Sequence, residues 1–270
     1  MLPPELVQRA RGLVDGTFEA APVRDAATVV LLRDTGTGPE VYLLRRVRAM
    51  AFAAGMHVFP GGSVDQADAQ AHVRWAGPDP AQWASWLSAD EPLARALVCA
   101  AVRETFEESG VLLAGSSEAE LLADVSSDEW EAERVALEAR EQTLSQLLER
   151  RGLVLRSDLL RPFAHWITPE VEPKRFDTRF FLAELPAGQV CRDVGGEADS
   201  RVWVHPRTAL EQQLTMLPPT AVSLGDLADI VDVASALARQ WPISPVMPKI
   251  VVRGDDSVAM LLPGDPDYPV

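Results

Sequence analysis

Three glutamates near the middle of the chain share one face of an expected helix. Glu104, Glu107 and Glu108 belong to the stretch 103–111, R-E-T-F-E-E-S-G-V. At 100° per residue, their carboxylates occupy a sector about 100° wide on an α-helix. Mg²⁺ and Mn²⁺ prefer carboxylate and water oxygens as ligands, also when they are bound to phosphates. The pattern therefore predicts a site for a hard divalent cation, beside which Arg103 would orient a carboxylate.

A solvated helix face is the alternative explanation, because exposed glutamates are common. Like charges four residues apart repel each other by roughly 0.2–0.5 kcal/mol, so the crowding needs a reason. The alternative must also explain the glycine pair Gly61 and Gly62 before the helix and Gly110 at its end. From the residues alone both explanations stay open.

The surrounding sequence predicts the elements that position the cluster. A helix is expected from Pro92 to Ser109, ended by Gly110 in a left-handed C-cap and followed by a strand over Val111–Leu113. A second helix is expected from Thr220 to Trp241. Apolar or alternating runs predict strands at Ala27–Leu32, Val41–Leu44, His57–Phe59, Phe163–Thr168, Phe176–Leu185 and Arg201–His205. These elements predict a mixed α/β (α+β) sheet flanked by helices.

Charge and composition exclude several classes of protein. With 25 basic and 40 acidic residues the formal charge is −15, which opposes binding to nucleic acid or to an anionic membrane surface. Small phosphorylated ligands remain compatible if metal ions or a local basic patch reverse the sign. Apolar runs are far shorter than the roughly 18 residues of a membrane span. Cys99 and Cys191 form no C-x-x-C pair, which favours a reducing, cytoplasmic setting.

The glutamate segment resembles the Nudix box, G-x5-E-x7-R-E-U-x-E-E-x-G-U with U apolar. The second half of the box matches at Arg103, Glu104, Glu107, Glu108, Gly110 and Val111, whereas Thr105 stands where an aliphatic residue is usual. Pro60, Gly61 and Gly62 fit its first half, and Asp68 stands where the family has Glu. Gly62 and Arg103 are 41 positions apart rather than 14, so 27 residues interrupt the box.

The interrupted box, with the later segments 166–170 and 175–181, is similar to the Nudix branch that includes organellar coenzyme A diphosphatases. The resemblance implies an α/β/α sandwich with helical insertions and a C-terminal helical extension. It also implies Mg²⁺ or Mn²⁺ on Glu104, Glu107 and Glu108, with Glu107 and Arg103 as catalytic residues and water as nucleophile. Family members often bring an acid from the region just before the strand that holds Trp203. Glu197 lies in this region and is therefore the first candidate for the base, with Glu170 and Glu172 as alternatives.

Arginines suit phosphate oxygens because their planar forks make paired hydrogen bonds. Arg45 and Arg46 follow the second expected strand, and Arg175 and Arg179 begin a later one. These four residues, together with Gly61 and Gly62, are the candidates for substrate binding. Pairing with the abundant surface acids is the alternative role for each arginine.

The resemblance suggests the following organisation of the chain. Residues 1–23 form an N-terminal extension, and residues 24–206 form the Nudix domain with insertions at 66–92 and 115–152. Residues 207–270 add a C-terminal helix and a tail packed on the same domain. The tryptophans of the first insertion could stack on an adenine or anchor a satellite core.

The function expected from this resemblance is hydrolysis of the diphosphate linkage in a nucleoside diphosphate derivative. Coenzyme A or acyl-coenzyme A is the leading substrate, with NADH and ADP-ribose as alternatives. An alternative of another class is a catalytically silent ligand sensor or interaction module, with residues 115–152 and 220–241 as a homodimer or partner surface. The intact R-E-x-x-E-E argues against it, because a binding module has no need to retain a costly acidic cluster.

Overall fold

The computed structural model of the chain describes residues 4–47, 55–193, 198–253 and 258–269. Its strands are β1 Val23–Thr35, β2 Gly38–Arg46, β3 His57–Val58, β4 Gly61–Ser63, β5 Trp75–Ala76, β6 Ala114–Gly115, β7 Val154–Arg156, β8 Leu160–Ile167, β9 Arg175–Glu184, β10 Ala198–Val204, β11 Pro245–Val246, β12 Lys249–Val252 and β13 Val258–Leu261. Its helices are α1 Pro4–Asp15, α2 Gln66–Ala69, α3 Pro80–Leu87, α4 Glu91–Ser109, α5 Asp128–Glu138, α6 Leu144–Arg150, α7 Pro206–Glu211, α8 Pro218–Leu227 and α9 Val233–Ala238.

A mixed eight-stranded sheet forms the centre of the fold. Its main order is β10-β2-β1-β9-β8-β11, with β3 paired to β2 and β4 paired to β1. Strands β1 and β9 are parallel, whereas β1 and β2 are antiparallel. Val29, Val30, Leu31 and Leu32 of β1 are all completely buried, so both faces of the sheet are covered.

Helices cover the two faces of the sheet with separate cores. Val29 and Leu31 of β1 pack with α3 and α4 in one core. Val30 and Leu32 point to the other face, where they pack with α8 and α9. The predicted α/β/α sandwich is confirmed, with its C-terminal helices forming one complete layer.

Helix α4 has clear signals at both ends. The Asp90 side chain accepts a hydrogen bond from the Leu93 N–H at 2.8 Å, which caps the first turn. Gly110 ends the helix with φ 73°, a conformation that glycine adopts without strain. The predicted helix is confirmed, beginning one residue earlier at Glu91.

Two predicted elements differ in the structure. Val111–Leu113 is fully buried but is not a strand, and the short β6 follows it. The single helix expected over Thr220–Trp241 is instead the pair α8 and α9. Helix α8 ends at Leu227. Asp232 has an extended backbone, and its side chain accepts from the Ser235 N–H at 2.7 Å, so it caps the start of a separate helix.

The first insertion forms part of the main core. It contains α2, β5 and α3, and Trp83 of α3 is completely buried against Phe181 of β9, with ring centroids 5.7 Å apart. Trp83 therefore anchors a core, which is one of the two roles considered for the tryptophans of this insertion. None of the helices in the described ranges has both the length and the apolar composition of a membrane span.

Candidate active site

The C-terminal half of α4 places its carboxylates against the first part of the box. Strand β4 pairs with β1 in the register Thr28 to Gly61 and Ala27 to Gly62. The Gly61 N–H donates a 2.8 Å hydrogen bond to Glu108 Oε2. The helix and the glycine strand are therefore joined directly at the predicted site.

Gly62 is needed because the Glu104 carboxylate lies against its backbone. A Cβ at Gly62 would lie 2.3 Å from Glu104 Oε1, far inside van der Waals contact. A Cβ at Gly61 would lie 2.6 Å from the Ala27 carbonyl oxygen. The glycine pair thus allows a close approach of strand and helix, and no left-handed backbone is involved at either position.

Arg103 joins the two separated halves of the box. Its Nε donates to Asp68 Oδ1 at 3.0 Å, and its Nη2 donates to Asp68 Oδ2 at 2.9 Å. Asp68 is 2% exposed and Arg103 is 7% exposed, so the pair is buried. The 27 inserted residues therefore leave Asp68 of α2 in contact with the arginine of α4.

The same guanidinium also contacts two of the glutamates. Arg103 Nη1 lies 2.8 Å from Glu104 Oε1 and 3.2 Å from Glu107 Oε2. Burial raises the pKa of Glu107 to about 7, and the charge of Glu104 adds to the shift while Arg103 opposes it. Burial also raises the pKa of Glu104. The cluster thus carries more buried negative charge than Arg103 offsets.

This excess charge and the all-oxygen donor set fit a hard divalent cation. Glu104, Glu107 and Glu108 are the residues that would hold it. Within the described parts of the chain, no three Asp, Glu, His or Cys side chains are already arranged as a metal site. In the present arrangement Arg103 pairs with Glu104 and Glu107, and the Gly61 N–H donates to Glu108.

Thr105, which departs from the aliphatic residue of the box, is completely buried. Its hydroxyl donates to the Ala101 carbonyl oxygen at 2.7 Å. Because this bond within the helix satisfies the hydroxyl, threonine can replace an aliphatic side chain in the core here.

The glutamates open into a cavity of about 980 Å³. Its ionisable lining residues are Arg46, Asp65, Arg103, Glu104, Glu107, Glu108, Glu138, Arg140, Glu172, Lys174 and Arg201. A second part of its wall is apolar, with residues from the sheet and from the C-terminal segment. The cavity therefore joins a charged region to an apolar one.

The predicted phosphate-binding arginines are not all at the cavity. Arg46 lines it, whereas the exposed Arg45 is the adjacent residue of β2 and does not. On β9, Phe176, Thr178 and Phe180 line the cavity. Side chains alternate along a strand, so Arg175 and Arg179 point to the opposite face of the sheet.

Arg175 and Arg179 have structural contacts in those positions. Arg175 Nη1 donates to the Ala21 carbonyl oxygen at 2.9 Å. Arg179 is 4% exposed, pairs with Asp177 and donates to the Leu87 carbonyl oxygen at 3.3 Å. The expectation that Arg175 and Arg179 bind substrate does not agree with this placement, because the buried guanidinium groups are held away from the cavity.

The three candidate bases are in different situations. Glu197 lies outside the described residues. Glu170 pairs with Lys249 at 2.8 Å. Glu172 lines the cavity, and burial raises its pKa.

Two arginines of the second insertion were not singled out from the sequence. Arg134 of α5 is 3% exposed and donates from Nη1 to the Glu107 carbonyl oxygen at 2.8 Å. Arg140, in the loop between α5 and α6, lines the cavity. No local motif marks either residue, because both depend on how the insertion packs on α4.

Comparison with known proteins identifies the class that this fold and site define. The family model described as NUDT19 Nudix domain matches residues 88–225, about half of the chain and including the second half of the box. The chain therefore belongs to the Nudix hydrolase family and is a diphosphohydrolase.

Curated relatives and a solved structure agree with this assignment. The chain is similar to "Acyl-coenzyme A diphosphatase NUDT19" of Gallus gallus, with 27% identity over 91% of this chain and 80% of that protein. The protein of the same name from Xenopus laevis is 25% identical over 85% of this chain and 71% of that protein. The crystal structure of a Nudix hydrolase from Alicyclobacillus acidocaldarius has 30% identity and a TM-score of 0.68, over 83% of this chain and 99% of that chain.

Proposed function

We propose that the chain hydrolyses the diphosphate linkage of coenzyme A or acyl-coenzyme A in a reaction that needs Mg²⁺ or Mn²⁺. The observation that carries this proposal is the cavity in which the α4 carboxylates adjoin an extended apolar wall. The two curated relatives bear the name of an activity on such substrates.

The apolar wall favours coenzyme A derivatives over the other candidates. Trp166, Phe176 and Phe180 of the sheet and Leu217 and Met260 of the C-terminal segment line it. The pantetheine arm and an acyl group would bury apolar surface there, which is favourable at about 25 cal/mol per Å². NADH and ADP-ribose carry a second ribose in place of that arm and would gain less from such a wall.

The residues of the site have distinct expected roles. Glu104, Glu107 and Glu108 would hold the metal, and Arg103 would orient Glu104 and Glu107. The bound ion would polarise a phosphoryl oxygen and neutralise charge on the diphosphate. In the reaction the oxygen of water forms a bond to phosphorus, the bridging P–O bond breaks, and two phosphorylated products leave.

Glu172 is our candidate for accepting the proton of the attacking water. It lies in the cavity wall, and its raised pKa makes its carboxylate a stronger base than an exposed glutamate. We expect Glu172→Gln to lower kcat strongly. Glu170→Gln is the matched control, because Glu170 is paired with Lys249. Equal losses in both variants would reject this role.

A hydrolysis panel tests the proposed function. Coenzyme A, acyl-coenzyme A, NADH, ADP-ribose and nucleoside triphosphates are incubated with Mg²⁺ or Mn²⁺ and with wild type or Glu107→Gln. We expect the highest kcat/KM on coenzyme A substrates and a large loss in the variant. Preference for NADH or ADP-ribose would remove the coenzyme A assignment. Ligand binding without turnover of any substrate would favour the sensor alternative.

A reducing location such as the cytoplasm is part of the proposal, and it is supported by the free thiols of Cys99 and Cys191. Localisation of the tagged full-length chain would test it. The homodimer stays a prediction, which light scattering on the purified protein would test.

A further inference from the structure

Arg140 lies at a fixed place beside the carboxylate helix. It follows α5, which is attached to the last turns of α4 by the buried Arg134 and its bond to the Glu107 carbonyl oxygen. Gln142 also holds the loop, donating to the Glu133 carbonyl oxygen at 2.8 Å. The loop therefore presents Arg140 to the cavity from a firmly held support.

The backbone of Arg140 is in a conformation that glycine usually provides. Its φ is +60°, and its N–H donates to the Leu137 carbonyl oxygen at 2.9 Å while the next N–H donates to Ala136. This left-handed position after a helix favours glycine, because a Cβ is strained there. Arginine at this place thus lowers stability unless its side chain contributes something else.

Contacts within the protein do little to compensate for that strain. In the described part of the chain, the ion pair of Arg140 is with Asp65 at 3.4 Å, and 76% of the Arg140 side chain is exposed. An exposed pair of this length contributes little to folding. Residues held in such backbone conformations cluster at active sites and ligand-binding sites, and Arg140 lines the cavity.

The cavity around Arg140 needs cations for an anionic ligand. Its lining includes six carboxylates against five basic side chains, those of Arg46, Arg103, Arg140, Lys174 and Arg201. Of these five, Arg103 is already paired with Asp68, Glu104 and Glu107. A phosphate could replace Asp65 as the partner of Arg140 and accept two parallel hydrogen bonds from the guanidinium.

We propose that Arg140 is a substrate-binding residue that holds a phosphate group of the nucleotide substrate. This proposal rests on the proposed function for the substrate class. Two sources of phosphate are compatible with it, the diphosphate itself and the separate 3′-phosphate of coenzyme A.

The test compares Arg140→Gly, Arg140→Gln and Arg140→Lys with wild type. Glycine relieves the backbone strain and removes the charge, glutamine removes only the charge, and lysine keeps it. Gln213→Gly is the matched control, since Gln213 also has a positive φ of 50° but does not line the cavity. For each protein kcat, KM and Tm are measured with coenzyme A, 3′-dephospho-coenzyme A and ADP-ribose.

We expect Arg140→Gly and Arg140→Gln to raise KM about tenfold or more, with kcat within about threefold of wild type. Arg140→Lys should fall between them and wild type. Arg140→Gly and Gln213→Gly should each keep or raise Tm, and Gln213→Gly should leave KM unchanged. A higher KM for coenzyme A alone identifies the 3′-phosphate as the ligand, and a higher KM for all three substrates identifies the diphosphate.

Several results would overturn the proposal. The first is a KM that stays within twofold of wild type on every hydrolysed substrate, for both Arg140→Gly and Arg140→Gln. A rise in Arg140→Gly alone would also do so, because it would assign the effect to the backbone and not to the charge.

Failure of the coenzyme A assignment can be told apart from failure of the Arg140 proposal. If coenzyme A is not hydrolysed, the KM for ADP-ribose still shows whether Arg140 contributes to binding of the diphosphate. If the wild type turns over none of the three, their equilibrium dissociation constants take the place of KM. Equal constants for wild type and Arg140→Gln would then refute the role.

Discussion

Replacing Asp68 by asparagine tests how the interrupted box is held together. Asp68 accepts three hydrogen bonds from Arg103, two from Nε at 3.0 and 3.2 Å and one from Nη2 at 2.9 Å. Asparagine has nearly the same volume but removes the charge and leaves a single acceptor oxygen. The change therefore probes the pairing with little effect on packing.

The expected loss of stability follows from burial and from the other partners of Arg103. Removing one partner of a buried ion pair typically costs about 3–5 kcal/mol. Arg103 keeps Glu104 at 2.8 Å and Glu107 at 3.2 Å, and asparagine keeps one bond, so we expect about 2–3 kcal/mol. For a domain of this size that corresponds to a Tm lower by about 4–12 °C.

Urea unfolding followed by tryptophan fluorescence measures this free energy in wild type and variant. Asp158→Asn is the matched control, because Asp158 binds Arg156 with the same two-pronged geometry at 2.8 and 2.6 Å. The Asp158 side chain is 33% exposed against 1% for Asp68, so we expect a loss of about 1 kcal/mol or less. Equal losses in the two variants, or a loss below about 1 kcal/mol for Asp68→Asn, would refute the reasoning.

Three further results are expected. Gly62→Ala should lower kcat/KM by at least about tenfold in steady-state assays, because its Cβ would displace the Glu104 carboxylate, and wild-type activity would contradict this. Arg134→Met should lower the free energy of unfolding by about 2–3 kcal/mol in urea titrations, since it detaches α5 from α4. Burial raises the pKa of both Cys99 and Cys191 to about 12, so neither thiol should react rapidly with Ellman's reagent at pH 8 until the chain unfolds.

Local sequence was sufficient for the helix that carries the carboxylates. The spacing of Glu104, Glu107 and Glu108 and the glycine at position 110 are signals within a few residues of each other, so helical geometry alone predicts their common face. The contact between Asp68 and Arg103 is different. It joins residues 35 positions apart and depends on the path of the inserted segment, which no local period reports.

The sequence also did not predict which face of the sheet the arginines of β9 would point to. The alternation of Arg175, Phe176, Asp177, Thr178 and Arg179 implies that the charged side chains share one face of the strand. Which face adjoins the cavity is decided by the C-terminal segment that covers the sheet. Basic composition alone therefore selected the wrong face.

The helix expected over residues 220–241 failed for a similar reason. Its apolar spacing continues through the break between α8 and α9, and this spacing conceals the start of α9 at Asp232, which accepts a hydrogen bond from the Ser235 N–H. The sequence around Arg140 does not mark the left-handed position after α5, because glycine is the residue that usually occupies such a position.

The central claim is that the α4 carboxylates hold a divalent cation for the diphosphate. Anomalous diffraction from crystals grown with Mn²⁺ tests it most directly. We predict a single strong anomalous peak, or two adjacent ones, with carboxylate oxygens of Glu104, Glu107 and Glu108 as ligands, and its loss in Glu107→Gln. A wild-type crystal with these three side chains directed apart and no manganese between them would contradict the account.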